Sequence, residues 1–147
     1  MQSVNVFSVE KSDGRLDVAE LLHAAGFVMF VYDLEPGKSS SPYHYEYEEE
    51  WLLVLEGEIL LRTPEGERTV GRGELVCFPP GPAGAHKTTN ASAAPARVLM
   101  FSSAHEPAVA VYPDSDKIGV WPGREEDKVM LHRADGDVDY WDGEHRR

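Results

Sequence analysis

Cysteine is almost absent from this sequence, and its scarcity excludes several kinds of site. The chain has one cysteine, Cys77, among 147 residues. One cysteine allows no internal disulfide, no CxxC redox pair and no cysteine-based zinc site. Because Cys77 lies in the apolar run ELVCF, we expect it to be a small buried residue. Any metal in this chain must therefore be bound by histidine and carboxylate side chains.

Positive charge is scarce as well. Lys and Arg total 14 against 26 Asp and Glu, which gives a formal net charge of −12. The basic residues are scattered, so no cluster of them is available to meet a phosphate backbone. We therefore expect no nucleic-acid partner and no attraction to an anionic membrane surface.

Long hydrophobic runs and targeting features are missing too. The longest apolar stretch, Ala24 to Tyr32, has nine residues, whereas a membrane-spanning helix needs ~20. Residues Met1 to Glu10 include no Lys or Arg, so the positively charged start of a secretory signal is not there. Together with the single cysteine, these features predict a protein of a reducing compartment, the cytoplasm.

Short strands separated by turns dominate the middle of the chain. Six runs rich in aliphatic and aromatic residues predict strands: Phe27–Leu34, Glu50–Leu55, Ile59–Arg62, Leu75–Phe78, Arg97–Ser102 and Ala108–Tyr112. Clusters of Pro, Gly, Glu and Asn lie between these runs and indicate turns. Even spacing without long intervening helices favours an antiparallel sandwich or small barrel, in a single domain over residues 1–147.

The predicted strand Glu50–Leu55 is apolar on both of its faces. Leu52 and Val54 share one face, and Trp51 and Leu53 share the other. A second sheet or a second subunit must then cover each face. Where a second subunit supplies the cover, the chain forms a homodimer, and this is the association that we expect.

A short helix and a C-terminal extension are expected outside the strand region. Leu16, Ala19 and Leu22 recur at helical spacing, Asp17 favours the helix start and Gly26 could end it. Residues 113–147 are more polar but keep scattered aromatic and aliphatic side chains. They predict an ordered extension that wraps the core.

Candidate ligands concentrate between residues 37 and 57. His44, Glu46, Glu48 and Glu50 fall two apart, so a straight strand would place all four on one face. His44 and Glu50 would then stand ~20 Å apart at ~3.3 Å per residue, too far to share an ion with ~2.0–2.2 Å ligand bonds. A shared ion therefore requires a sharp bend between Glu46 and Glu50. A further histidine, His86, follows a Pro/Gly-rich turn downstream.

These two segments resemble the paired motifs of the cupin superfamily. The residues that carry the resemblance are Gly37, His44, Glu50 and Gly57 in the first motif and Gly73, Pro79, Gly81, His86 and Asn90 in the second. The resemblance is to small single-domain bacterial cupins. It implies an antiparallel double-stranded β-helix, or jelly-roll barrel, with its core at about residues 27–112 and the extension at 113–147.

The chain departs from the usual motifs at the positions that bear ligands. His44 comes one residue late, after Tyr43, and Glu46 stands where the family has a second histidine. Four residues rather than two separate Gly81 from His86. The resemblance then implies one divalent ion bound by His44, Glu46, Glu50 and His86. Two imidazoles and two carboxylates favour Mn²⁺ or Fe²⁺ and also allow Zn²⁺ or Ni²⁺.

The resemblance implies a metal-dependent enzyme that acts on a small polar metabolite inside the barrel. Isomerase, dioxygenase and decarboxylase chemistry all occur on this fold, and Tyr43 or Tyr45 could orient a substrate. The alternative is a non-catalytic cupin, structural or binding a small molecule, whose metal site is weakened or lost. Glu46 favours this alternative, whereas Glu50 and His86 oppose it. The remaining histidines have no motif around them and are assigned no function: His23, His105, His132 and His145.

Overall fold

The computed structural model of the protein describes residues 1–136 and 138–144, so His145 lies outside the described residues. Within them the chain forms twelve strands and one α-helix, α1 (Val18–Leu21). The strands are β1 (Arg15–Asp17), β2 (Phe27–Leu34), β3 (Tyr45–Glu46), β4 (Glu50–Glu56), β5 (Glu58–Thr63), β6 (Gly66–Gly71), β7 (Leu75–Phe78), β8 (Lys87–Thr89), β9 (Ala96–Ser103), β10 (Ala108–Tyr112), β11 (Lys117–Trp121) and β12 (Val129–His132). Single 3-10 turns occupy Pro82–Gly84, Pro113–Ser115, Glu125–Asp127 and Arg133–Asp135.

All six strands predicted from the sequence are present. Strands β2, β7 and β10 have the predicted bounds, and β4, β5 and β9 are one or two residues longer. Strand β6, with the sequence GERTVG, was not foreseen. Its polar residues hide the apolar alternation that identifies a strand, and pairing with β5 holds it in extended form. Strand β8, with the sequence KTT, pairs with the other side of β5.

The strands form three antiparallel sheets. The largest has the order β1-β2-β9-β4-β7, the second has the order β12-β11-β10-β3 and the third has the order β6-β5-β8. Neighbours in these sheets are mostly distant in sequence, as in the pairing of Glu50 on β4 with Ser102 on β9. Pairing of this kind places residues from distant parts of the chain side by side in one sheet.

The hydrophobic core lies between the five-stranded and three-stranded sheets. Leu52 and Val54 point into it from β4, and Ile59 and Leu61 point into it from β5. Each of these side chains is at most 1% exposed. On the opposite face of β4, Trp51 and Leu53 stay half-buried. A second sheet thus covers one apolar face of β4, as the sequence predicted, and leaves the other partly open.

The N-terminal helix is much shorter than its predicted span. Only Val18–Leu21 is helical, and the Asp17 carboxylate caps it by accepting a 2.9 Å hydrogen bond from the Glu20 N–H. Leu16 belongs to β1 and pairs with Val31. The predicted end at Gly26 is wrong because the chain leaves the helix at Leu22 and turns at His23, which has a φ of 51°. Pairing with β2 has outweighed the helical spacing of the apolar residues.

Cys77 is exposed, which contradicts its expected burial. Strand β7 lies at the edge of the five-stranded sheet, and only Phe78 among its four residues is buried. The thiol therefore lies on the outward side of an edge strand. The prediction failed because the residues around Cys77 in the sequence are apolar and gave no indication of this exposure.

The C-terminal extension is ordered where it forms two strands, β11 and β12, which join the second sheet. Strand β11 pairs with β10, and β12 pairs with β11. All four residues of β12 are exposed, including Val129, Met130 and Leu131. Among the described residues, no helix has the length and apolar character required to cross a bilayer.

Candidate metal centre

Two loops bring His44 and His86 side by side. The residues exchange backbone hydrogen bonds, 3.1 Å from the His44 N–H to the His86 carbonyl and 2.8 Å in the reverse direction. The Pro/Gly-rich turn before His86 is tight, since a Cβ at Gly84 would overlap the Pro79 carbonyl oxygen. Gly81, with a φ of 82°, donates a 2.7 Å hydrogen bond to the Glu46 carbonyl and so fixes this turn against β3.

The chain bends where the ligand spacing required it to bend. Strand β3 stops at Glu46, residues 47 and 48 form the bend, and β4 starts at Glu50. The Glu50 Oε2 atom then lies 3.7 Å from the His44 Nε2 atom and 3.8 Å from the His86 Nε2 atom. One donor atom from each of the three residues lies within 4.8 Å of the others. Ligand bonds of ~2.1 Å place neighbouring donors roughly 3.0–3.5 Å apart, so a small inward movement would let all three bind one ion.

Hydrogen bonds fix the tautomer of both imidazoles. The Nδ1 atom of His44 lies 3.0 Å from the Pro42 carbonyl oxygen, and that of His86 lies 2.9 Å from the Gly84 carbonyl oxygen. A carbonyl oxygen only accepts, so each Nδ1 carries the hydrogen and each Nε2 keeps its lone pair. This is how proteins commonly orient metal-binding histidines.

The Nε2 atom of His86 is the strongest indication that this group of side chains suits a cation. It is buried, and within the described part of the chain it has no hydrogen-bond partner. The ring is also fixed in place, stacked 3.7 Å from the Phe78 ring at an interplanar angle of 7°. Leaving such a polar atom unsatisfied is costly, and a metal ion would use its lone pair. The donor set and this unpartnered nitrogen therefore fit a divalent cation.

Burial sets the protonation states of the three donors. It lowers the pKa of His44 and lowers that of His86 to about 4. Burial, followed by the charge of Glu46, raises the pKa of Glu50 to about 8. In metal-free protein at neutral pH, both imidazoles are thus neutral and the Glu50 carboxyl mostly holds its proton. A cation would favour the ionised carboxylate instead.

Glu46 lies in the same cavity but does not belong to the group of three donors. It is on β3, opposite Ala110 of β10. Burial, and then the charge of Glu48, raises the pKa of its carboxyl group. The structure brings together three of the four ligands implied by the motifs, and a ligand role for Glu46 stays a prediction.

A cavity of about 1050 Å³ opens beside these donors. His44, Glu46 and Glu50 form part of its wall. Tyr32 and Tyr112 also line it, whereas Tyr43 is buried beneath the Arg62 guanidinium at 3.9 Å and Tyr45 packs on Tyr47. The two tyrosines suggested by the sequence are therefore not cavity residues. Sequence reasoning also missed Glu48, Ser103 and His105, which share the cavity without belonging to a motif.

Antiparallel sheets that hold two histidines and a carboxylate beside a cavity define a small β-sandwich with a candidate metal site. Residues 30–102 match the family model of the cupin domain. The chain therefore belongs to the cupin superfamily, as the two motifs predicted.

Solved structures agree with this assignment. A sugar phosphate isomerase of the cupin superfamily from Silicibacter pomeroyi is 26% identical, with a TM-score of 0.76 over 87% of this chain and 82% of that one. A putative sugar phosphate isomerase from Acidithiobacillus ferrooxidans is 24% identical, with a TM-score of 0.75 over 84% and 78%. A polyketide cyclase from Streptomyces resistomycificus is 23% identical, with a TM-score of 0.61 over 74% and 83%. The likeness to the last two of these structures supports the fold of this chain and nothing further. No curated protein sequence matches the chain.

Proposed function

We propose that this protein is a metal-dependent isomerase that acts on a small polyhydroxylated substrate such as a sugar or sugar phosphate. The observation that carries the proposal is the buried Nε2 of His86, which has no hydrogen-bond partner among the described residues and lies beside His44 and Glu50. The likeness to the isomerase from Silicibacter pomeroyi supports the substrate class.

The donor group suits substrate binding as well as metal binding. His44, Glu50 and His86 supply three donor atoms, so an octahedral ion would keep about three positions for water or substrate. When bound, the ion would polarise a substrate carbonyl or hydroxyl oxygen as a Lewis acid. Ser40, Ser102 and Tyr112 line the same cavity and can form hydrogen bonds with substrate hydroxyl groups. Two imidazoles and a carboxylate support Mn²⁺ or Fe²⁺ as the ion.

Metal content and isomerisation test this function directly. Protein purified without chelator should carry close to one Mn²⁺ or Fe²⁺ per chain by elemental analysis. The loaded protein should interconvert members of a panel of triose, pentose and hexose phosphates, followed by proton NMR. His86→Gln should lose both metal and activity, whereas His132→Gln, at an exposed histidine on β12, should keep both. Less than about a tenth of an ion per chain, even after adding Mn²⁺ or Fe²⁺, would favour a non-catalytic cupin instead.

The donor set supports a second candidate, an Fe²⁺-dependent dioxygenase. Two histidines and one carboxylate with open positions are also the ligands of non-haem iron oxygenases. Oxygen consumption by the Fe²⁺-loaded protein distinguishes the candidates, because isomerisation is redox-neutral and consumes none. Oxygen uptake that requires both Fe²⁺ and an organic substrate would replace the isomerase proposal.

We also propose that the protein is a homodimer. The outward face of β4 and its neighbour β9 carries a stack of two half-buried aromatic rings, Trp51 and Phe101, 6.1 Å apart. Leu75 on the adjoining edge strand is 55% exposed. A second copy packed on this face would bury these side chains. Light scattering at micromolar concentration should give twice the 16.3 kDa chain mass, and a monomer would refute the proposal.

A further inference from the structure

Three polar side chains form a hydrogen-bonded group at the edge of the cavity, apart from the three metal donors. They are Glu48, Ser103 and His105, which we call the rim cluster. Ser103 Oγ donates a hydrogen bond to Glu48 Oε2, and His105 Nδ1 lies 2.8 Å from the same oxygen. All three residues line the cavity that contains His44 and Glu50.

The hydrogen bonds of the rim cluster hold His105 in one tautomer. An ionised carboxylate only accepts, so the Nδ1 of His105 carries the hydrogen that it shares with Glu48. In the neutral imidazole, the Nε2 atom then keeps a lone pair, and it has no hydrogen-bond partner among the described residues. The side chain of His105 is 70% exposed, so a molecule entering the cavity can reach it. A histidine oriented by a carboxylate, with its other nitrogen open, is equipped to accept a proton.

The rim cluster stands close to the metal centre. Glu48 is two residues from Glu50, which limits the separation of their Cα atoms to at most about 7 Å. Ser103 follows Ser102, and Ser102 lies directly opposite Glu50 in the pairing of β4 with β9. A substrate bound at the centre would therefore occupy the same cavity that His105 lines.

We propose that His105 transfers a substrate proton in the reaction of this cavity, with Glu48 and Ser103 as positioning residues. This inference rests on the proposed isomerase function. The Nε2 of His105 takes a proton from the carbon next to the substrate carbonyl and returns it to the neighbouring carbon. The imidazolium formed between these steps pairs with the Glu48 carboxylate. The carbonyl carbon receives this proton, and the hydroxyl hydrogen on the first carbon passes through water to the former carbonyl oxygen. No atom is lost and no electron acceptor is needed, because the carbonyl and hydroxyl groups only exchange places.

Proton exchange with solvent tests His105 directly. The Mn²⁺-loaded wild type is incubated in D₂O with the panel of aldose and ketose phosphates, and deuterium incorporation is followed by NMR. His105→Gln should lower the exchange rate at least about 100-fold, the effect of losing a general base. Its metal content should be unchanged and its KM should stay within about threefold. His132→Gln serves as the matched control and should exchange at the wild-type rate.

The positioning role of Glu48 has its own readout. In the wild type, nitrogen-15 NMR of the imidazoles should show His105 with its hydrogen on Nδ1. Glu48→Ala should yield a mixture of tautomers and a kcat reduced roughly 10-fold to 100-fold, at unchanged KM and metal content. A Glu48→Ala variant with the wild-type tautomer and kcat would remove Glu48 from this role.

The outcomes separate the two proposals. A wild type that neither isomerises the panel nor exchanges a substrate proton contradicts the isomerase function and, with it, the role of His105. A wild type that isomerises a substrate without exchanging its proton overturns the role of His105 alone. An active wild type whose His105→Gln variant exchanges at a similar rate leaves the isomerase function intact and overturns the assignment of His105. Selective loss of exchange in His105→Gln, with metal retained, supports both.

Discussion

Replacing Glu50 by glutamine should stabilise the metal-free protein while removing one of the three candidate metal ligands. The Glu50 side chain is only 14% exposed, and burial followed by the charge of Glu46 raises its pKa from 4.5 to about 8. Above pH 8 the folded, metal-free protein therefore holds a poorly solvated carboxylate that water would solvate in the unfolded chain. Glutamine has a similar shape and no charge, and its amide N–H could donate to the unpartnered Nε2 of His86.

The size of the expected change in unfolding free energy follows from the raised pKa of Glu50. A change from 4.5 to about 8 corresponds to at most about 5 kcal/mol of destabilisation once the carboxyl is ionised in both states. Because the folded state binds this proton more tightly, the unfolding free energy is greatest below the unfolded pKa. It falls as pH rises toward 8 and then levels off. Between pH 7 and pH 9 the wild type should lose about 1 kcal/mol, and Glu50→Gln should lose none through this group.

Urea unfolding of chelator-treated protein at several pH values measures this effect. The range from pH 7 to pH 9 lies above the ordinary histidine pKa, and His44 and His86, whose pKa values are lowered, are neutral there. Glu58→Gln, at an exposed glutamate on β5, controls for the simple loss of one negative charge. At pH 9, Glu50→Gln should be the more stable protein by a few kcal/mol.

Two results would refute the reasoning about Glu50. One is a metal-free wild type whose stability is flat or rises between pH 7 and pH 9. The other is a Glu50→Gln variant that is less stable than the wild type at pH 9. Adding metal supplies an independent check, because a ligand at 100 times its Kd stabilises the folded state by about 2.7 kcal/mol. The wild type should gain this stability, and Glu50→Gln should not.

Three further substitutions test the ligand set and the packing. Glu46→Gln should keep one ion per chain in elemental analysis, because Glu46 lies outside the group of three donors; loss of the ion would establish it as the fourth ligand implied by the motifs. Leu52→Ala should lower the unfolding free energy by about 3–5 kcal/mol, since Leu52 is fully buried in the core. Asp33→Asn should cost about 1.5–3 kcal/mol at pH 7 in urea unfolding, because Asp33 forms hydrogen bonds with Arg97 and an ion pair with Lys11. Burial alone would raise the pKa of Asp33, but the hydrogen bonds and the ion pair outweigh it and lower that pKa. The unfolding free energy that Asp33 contributes should therefore be present above its unfolded pKa of about 3.8 and disappear as pH falls below that value.

Local sequence signals predicted the strands well wherever apolar residues alternate or run together. Phe27–Leu34 and Ala108–Tyr112 have the predicted bounds. The same signals failed where pairing with another strand decided the conformation. Leu16 fits a helical pattern yet lies in β1, and GERTVG lacks an apolar pattern yet forms β6. Periodicity reports which faces can be buried, whereas hydrogen bonding to a distant strand can impose an extended backbone on almost any residues.

The metal donors were partly predictable for a geometric reason. The distance along a straight strand required a bend between Glu46 and Glu50, and the structure has one there. The motif spacing also selected His44, Glu50 and His86, which do meet. The position of Glu46 relative to these three donors depends on how β3 is oriented beside β10, which no local pattern determines.

By itself, the sequence determined the class of donor atoms, the rhythm of the strands and the positions of the turns. These properties depend on residue type and on neighbours within a few positions. Only the tertiary structure decided which side chains share the cavity. It placed His105 against Glu48, 57 positions away, and set Ser102 opposite Glu50. It also left the Nε2 of His86 without a hydrogen-bond partner in the part of the chain that the structure describes. Such contacts follow from the register between distant strands, which packing of the whole core fixes and no local pattern encodes.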